Sequence, residues 1–392
     1  FMKLFKSLLV APATLGLLAP LSATANELNI IDVSNYSDEV TELDSNTFKS
    51  LSTNNSLLIS GGEGLVDSHD HEGTFSTTTS ASFSADFVVG AVDGAAVEAM
   101  TFDYQYGMNL STSFTGEDSL ALTIETGNGG NTASSSVLDM NGMGDAMTLD
   151  GITYTFPLGD KTTVMVGDST DVSALYSTAC VYGAFTDLLG NCGSGTAAGL
   201  GGGSDFTAAP DSSSSATIAA AYDFGNGLTF AGGLSGSGGD SDGLFTKESK
   251  DVFGVQAAYT TDSYGVSLSY ASTDATTTTE TTFWGLNGFY AFEDTGLPSI
   301  SVGYESEDPE NGTTEEGYFV GLSWSEVGPG SVNIGMSSNE NYTSAQTETY
   351  TYEASYTYPI NDGMTITPGA FIKEMDSSDD QTGLIVKTSF SF

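Results

Sequence analysis

The stretch "YTYEASYTY", residues 350–358, separates into two faces when read in steps of two. Tyr350, Tyr352, Ala354, Tyr356 and Tyr358 share one face, while Thr351, Glu353, Ser355 and Thr357 share the other. Period-2 alternation is the signature of a half-buried β-strand. The polarity is unusual: the large side chains are amphipathic aromatics, and the opposite face is hydroxyl and carboxylate, which lines water more readily than it packs a dry core. Working outward, the same pattern recurs. In 279–293 Trp284, Leu286, Tyr290 and Phe292 fall together, and in 314–326 Tyr318, Val320, Leu322 and Trp324 do so.

Sixteen such segments of about ten residues follow one another from about residue 73, each bounded by Gly, Asn, Asp or Pro. They span roughly 74–92, 97–114, 118–127, 146–157, 160–169, 213–224, 226–235, 249–261, 263–273, 279–293, 298–307, 314–326, 330–339, 346–359, 362–374 and 381–392. After the second, short links ("LGD", "GNG", "TDS", "EDTGLP", "EVGPG", "INDG") alternate with longer ones at 128–145, 170–212, 236–248, 308–313 and 375–380. An even strand count, alternating segments and long loops kept to one end are the features of an outer-membrane barrel. Open sheet edges are not tolerated in hydrocarbon, so the strands are expected to close on themselves. The expected fold is therefore all-β, a transmembrane antiparallel barrel of about 16 strands, whose third outer loop folds into the lumen.

Composition supports strands over disorder. The chain has 51 acidic residues against eight lysines and no arginine, yet also 22 Phe, 18 Tyr and 2 Trp, whereas acidic disordered chains are poor in aromatics. A formal net charge of −43 argues against nucleic acid as a partner. Residues 1–25 read as a Sec signal peptide: Lys3 and Lys6 lead an apolar core, and Ala23-Thr24-Ala25 forms the cleavage site. This directs the chain to the outer membrane of a Gram-negative type envelope, where it would meet lipid and the barrel-assembly machinery. Residues 26–72 are polar, lack sustained alternation and read as a periplasmic segment ahead of a barrel at 73–392.

Chemistry-bearing residues are few. Cys180 and Cys192, the only cysteines, both lie in the 170–212 loop and are expected to form a disulfide in an exported protein. Alternation places Asp86, Asp103, Glu125, Glu353, Lys161, Lys373 and Lys387 on the lumen face as pore-lining candidates. With carboxylates in excess and no guanidinium available, a mild cation preference follows. The acidic runs 307–316 and 374–381 could hold Ca²⁺ weakly but lack the spacing of a calcium loop, so solvated charge is the simpler reading. His69-Asp70-His71 shows no third metal ligand, and no metal site or cofactor is expected. Both histidines precede the strands, so no wall Ser-His pair can be built. "GLGGGS" at 199–204 has no phosphate-binding lysine. An enzyme is not expected.

Several pieces, taken as a set, resemble the outer-membrane porins of marine cyanobacteria: the opening 2–37, "FVVGAVDG" (87–94), "SFTGEDSL" (113–120), "YTFPLGDKTTVMVG" (154–167), "GLPSISVGY" (296–304), "YFVGLSW" (318–324), "ITPGAFIKE" (366–374) and "GLIVKTSFSF" (383–392). The resemblance implies a 16-stranded trimeric porin passing small hydrophilic solutes and ions, of a carbohydrate-selective or iron-uptake type. That family usually carries an S-layer-homology domain before the barrel, and here only residues 26–72 occupy its place. The alternative from another class is a structural or adhesive surface barrel without an open pore.

In the final segment Leu384, Val386, Phe390 and Phe392 share the outward face with Thr388, which breaks the apolar pattern, and Lys387 looks inward. A closing strand ending on an aromatic resembles the signal read by the assembly machinery, carried here by Phe392 and Phe390. Deleting Phe392 is expected to lower the folded, heat-modifiable fraction recovered from outer membranes; unchanged recovery would contradict this role.

Overall fold

The computed structural model describes residues 78–130, 132–138, 140, 142, 144–189, 192, 216–237, 243–244, 246, 248–275, 279–292, 296–338 and 348–392. Residues 1–25, expected to be a signal peptide, residues 26–72 with His69 and His71, and most of 190–215 lie outside the described residues. Among the described residues there are sixteen strands. They are β1 (Thr79–Asp93), β2 (Thr101–Thr112), β3 (Ser119–Gly127), β4 (Thr148–Pro157), β5 (Thr162–Asp168), β6 (Ala216–Asp223), β7 (Leu228–Gly236) and β8 (Asp251–Thr260), then β9 (Tyr264–Ala275), β10 (Thr279–Tyr290), β11 (Ser299–Pro309), β12 (Glu315–Val327), β13 (Gly330–Ser338), β14 (Tyr350–Asn361), β15 (Met364–Lys373) and β16 (Gln381–Ser391). One short helix, α1 (Ala133–Ser136), follows β3.

Each strand pairs antiparallel with its neighbours in sequence, and β16 pairs with β1 to close the barrel. The closing register runs from Asp93 opposite Thr382 to Ser84 opposite Ser391. It continues through reciprocal backbone bonds between Phe83 and Phe392, at 2.8 and 3.0 Å. Their rings stack at 5.5 Å, and Phe87 meets Phe390 edge-on at 5.9 Å. The last residue of the alternating pattern is thus paired on its backbone and packed on its ring.

Facing is uniform around the wall. Trp284, Leu286 and Tyr290 point outward at 49, 47 and 50% exposure, and Tyr318, Val320, Tyr352 and Leu384 are also outward and exposed. The intervening residues point inward and are buried by what lies inside the barrel: Ser267, Ser269, Asn287, Ser301, Thr351 and Glu353. Short links sit at one end, with 224–227, 328–329 and 362–363 among them. In the first of these Gly227 has φ +87°, and a Cβ there would stand 2.5 Å from the Thr260 carbonyl. The other end carries 128–147 and 169–215, although the β9–β10 link there is only three residues, 276–278.

Sequence alternation predicted an inner face of hydroxyls, glycine and charge. At the seam it is instead apolar. Val88 and Val92 of β1, Phe371 of β15 and Ile385 of β16 form a buried cluster with Val137, Met140 and Phe185 from the long-loop segments. Burying side chains of this size contributes about 1.5–3 kcal/mol each, so the segments inside the barrel pack against the strands that close it. Alternation alone does not disclose this, because the partners come from loops distant in sequence.

At the short-link end, the β2–β3 turn is organised by one carboxylate. Asp118 accepts hydrogen bonds from Ser113 Oγ, Phe114 N, Thr115 N and Thr115 Oγ1 (2.8–2.9 Å) and from Tyr154 Oη (2.7 Å). Burial opposes its charge, but the bonds from Thr115, Tyr154 and Ser113 prevail and hold the carboxyl well below its ordinary 3.8. A depressed folded-state value stabilises above the unfolded value and is lost as pH falls toward the folded one. Asp118→Ala is therefore expected to unfold at lower denaturant concentration than the parent at pH 7, with the gap narrowing below pH 3.8, as tested by urea titration of the refolded barrel at both pH values.

Candidate functional site

The lumen is lined by alternate residues of all sixteen strands, and the segment following β5 runs along its inner wall from β7 to β15. Residues 170–189 begin against β7 and β8: Val172 lies over Gly233 and Gly254, and Ser177 N donates to Gln256 Oε1 (2.8 Å). The hydroxyls of Ser177 and Thr229 share a 2.7 Å bond. Val181 N then donates to Ser301 Oγ on β11 at 3.1 Å. The Cys180–Cys192 disulfide, with Cα atoms 6.1 Å apart, fastens the turn of the segment.

Its far end is held by Glu353. The two carboxylate oxygens accept from Tyr182 Oη (2.8 Å), Phe185 N (2.7 Å), Thr186 N (2.9 Å) and Thr186 Oγ1 (2.6 Å). Glu353 is 3% exposed. Burial first, then the Glu353 charge and the bond to it, push the Tyr182 phenol far above its usual range, so it remains a neutral donor. Hydrogen bonds to a charged group are worth about 1.5–3 kcal/mol, and four of them converge on one side chain. Shape completes the seat. A Cβ on Gly321 would stand 2.5 Å from the Tyr182 ring, and one on Gly335 2.5 Å from its hydroxyl; Phe185 occupies the place of a side chain at Gly369. Leu189, Phe319 and Cys192 bury with Tyr182 in a second apolar cluster.

The segment after β3 is fixed in a similar way. Asp103 on β2, 2% exposed, accepts from Thr132 Oγ1 at 2.6 Å. Thr132 is the N-cap of α1, and Ser134 of that helix bonds Thr101 and sits over Gly90.

The pore-lining candidates thus divide. Asp86, Glu125, Lys373 and Lys387 are inward and half-buried. Asp103 and Glu353 are inward too, are buried, and hold loop segments. Lys161 differs: it lies in the β4–β5 turn, ahead of the first residue of β5, and its Nζ donates to the Phe224 carbonyl at 3.0 Å. The alternation was extended one residue past the point where the chain turns. Glu305 of β11, 4% exposed, was passed over although it shares the inner face with Ser301 and Gly303. Parity in 298–307 could have found it. Tyr182, Phe185 and Thr186 carried no signal, since nothing in the loop indicates which wall residue they reach. Among the described residues, no group of three or more His, Cys, Asp or Glu is placed to hold a metal.

No family model and no curated protein sequence matches the chain. Solved structures do. A porin variant from Rh. blastica is 15% identical, with a TM-score of 0.56, covering 80% of this chain and 100% of its own. The high-pH structure of Pseudomonas putida OprB is 12% identical, with a TM-score of 0.58, covering 80% of this chain and 94% of its own. At this identity the likeness establishes the fold: the chain has the barrel architecture of solved porins.

Removing the Glu353 carboxylate strands two buried backbone N–H groups and two hydroxyls, each costing about 1–3 kcal/mol if left unpaired. In Glu353→Ala, chymotrypsin is expected to cut between Tyr182 and Leu189 at least about tenfold faster than in the parent, because two such groups already shift an opening equilibrium by that factor. Mass spectrometry of the intact folded barrel reads the nick.

Proposed function

We propose that the protein is an outer-membrane diffusion channel for small hydrophilic solutes and ions. One observation carries this reading: a closed barrel whose outward face is apolar and aromatic, and whose inward face is predominantly Ser, Thr, Gly, Gln, Asn and carboxylate. Only such a surface suits hydrocarbon outside and water within. The barrel fold shared with solved porins supports the same reading; a trimeric assembly and a carbohydrate or iron-species cargo are what the resemblance to cyanobacterial porins implies.

The segment at 170–189, seated on Glu353 and stapled at Cys180 and Cys192, acts in this proposal as the constriction. Asp86 and Glu125, with Lys373 and Lys387, line the half-buried remainder of the wall, in a chain whose formal net charge is −43. Carboxylates favour cations, and the absence of arginine leaves no fixed guanidinium cluster to oppose them. The lumen needs no cofactor, and the barrel performs no chemistry.

Planar-bilayer recording tests both parts. An open channel is expected, with a reversal potential in a KCl gradient that shows modest K⁺ preference; clear anion preference overturns the selectivity. A silent barrel favours the structural or adhesive alternative, which the apolar packing inside the seam would suit. Liposome swelling with sugars of increasing size is expected to show a cut-off that rises in Glu353→Ala, where the constriction is released.

A further inference from the structure

Between its first and second anchors the lumen segment spans a patch of wall that it does not touch by hydrogen bonds. Ser177 is fixed on Gln256 of β8 and Val181 on Ser301 of β11. Gln256 is in register with Ser269, Gly285 and Glu305, so Ser301 lies four residues further along β11, and the line between the two anchors passes over Ser267 and Ser269 of β9 and Asn287 of β10. Thr178, Ala179 and Cys180 therefore bridge β9 and β10 between the two anchors.

Beneath them stand three inward-facing polar side chains. Ser269 is in register with Gln256 and Gly285, and Ser267 with Asn287, which is itself opposite Gly303. Ser267, Ser269 and Asn287 are 2, 1 and 3% exposed. Neither serine hydroxyl, nor the oxygen nor the nitrogen of the Asn287 amide, has a hydrogen-bond partner in the protein. The Tyr176 hydroxyl, over Gly254 at the β8 edge of the patch, is in the same condition. The Cys192 carbonyl, which covers Gly303, closes the β11 side, and the Asn287 nitrogen does not bond it.

We propose that this patch is a binding site for a cluster of ordered water molecules, through which the stretch 178–180 is joined to β9 and β10. The chemistry selects the occupant. Every group is neutral; hydroxyls and a carboxamide both donate and accept, which suits water over an anion or a bare cation. Buried polar atoms are nearly always partnered, and a buried water makes two to four bonds to such groups. The stretch 178–180 provides none of those bonds itself. The consequence is a segment seated in two ways: by direct bonds at Glu353, and by exchangeable water over β9 and β10.

Asn287 reports the site. In the full barrel, isotope-labelled at asparagine and held in detergent micelles, its side-chain amide resonance is identified by its loss in Asn287→Leu. A rotating-frame Overhauser cross-peak between that amide and water, of the sign given by a long-lived bound molecule, is the expected result. An assigned amide with no such cross-peak overturns the proposal. Thermal unfolding gives an independent reading. Leucine keeps the heavy-atom branching of asparagine while removing its polar atoms, so replacing a dry, unpartnered amide stabilises. If water is bound, the replacement breaks its bridges to Ser267 and Ser269, and the unfolding midpoint falls. A raised midpoint in Asn287→Leu overturns the proposal as well.

Discussion

Closure is the constraint on which everything else in this molecule rests. Each backbone N–H and C=O that faces hydrocarbon must find its partner in a neighbouring strand, and a sheet meets that demand at its edges only by joining them. Here the joint is β1 to β16, ten paired positions from Ser84 to Asp93 extended by the Phe83–Phe392 bonds. An antiparallel ring also requires an even number of strands, sorts the links into two ends and sends alternate side chains to two unlike solvents. The aromatics outside and the hydroxyls inside are consequences of that geometry.

A ring of sixteen strands leaves an interior too wide for wall side chains to fill, and this protein fills part of it with its own loops. Doing so creates an ordinary protein interior within a membrane barrel. Carboxylates at Asp103 and Glu353 serve as acceptors for loop donors, glycines receive aromatic rings, and an apolar cluster forms where Phe185 meets Phe371 and Ile385. The cluster lies on the closing strands, so the docking of loops and the closure of the barrel reinforce one another. The inward wall therefore has two characters: one supports the loops, and the other carries the half-buried Asp86, Glu125, Lys373 and Lys387.

Strand number, facing and loop polarity were legible in the sequence because each is a local, repeating signal: "YTYEASYTY" declares its two faces without reference to any other segment. Boundaries were legible to within a few residues, and Lys161 shows the cost of those few. The role of Glu353 was not legible. Its alternation places it inward, but whether an inward carboxylate meets water or a loop depends on a contact across 167 residues of chain. Ile385 hid in the same way, as one apolar residue on an otherwise polar face. The three unpartnered side chains over β9 and β10 had no sequence signal, since serine and asparagine on a wall look alike whether bonded or orphaned.

The glycines under the lumen segment have a wider consequence. Gly254, Gly321, Gly335 and Gly369 form a mould: the path of the segment is recorded in the wall by the places where side chains are missing. A mould of this kind constrains its two halves unequally. The segment can exchange one ring for another of similar size and still lie in its track. Any wall substitution along the track, even to alanine, pushes the segment toward the axis. Change in the width of the passage is therefore most easily reached through the wall, at positions that sequence comparison would dismiss as featureless.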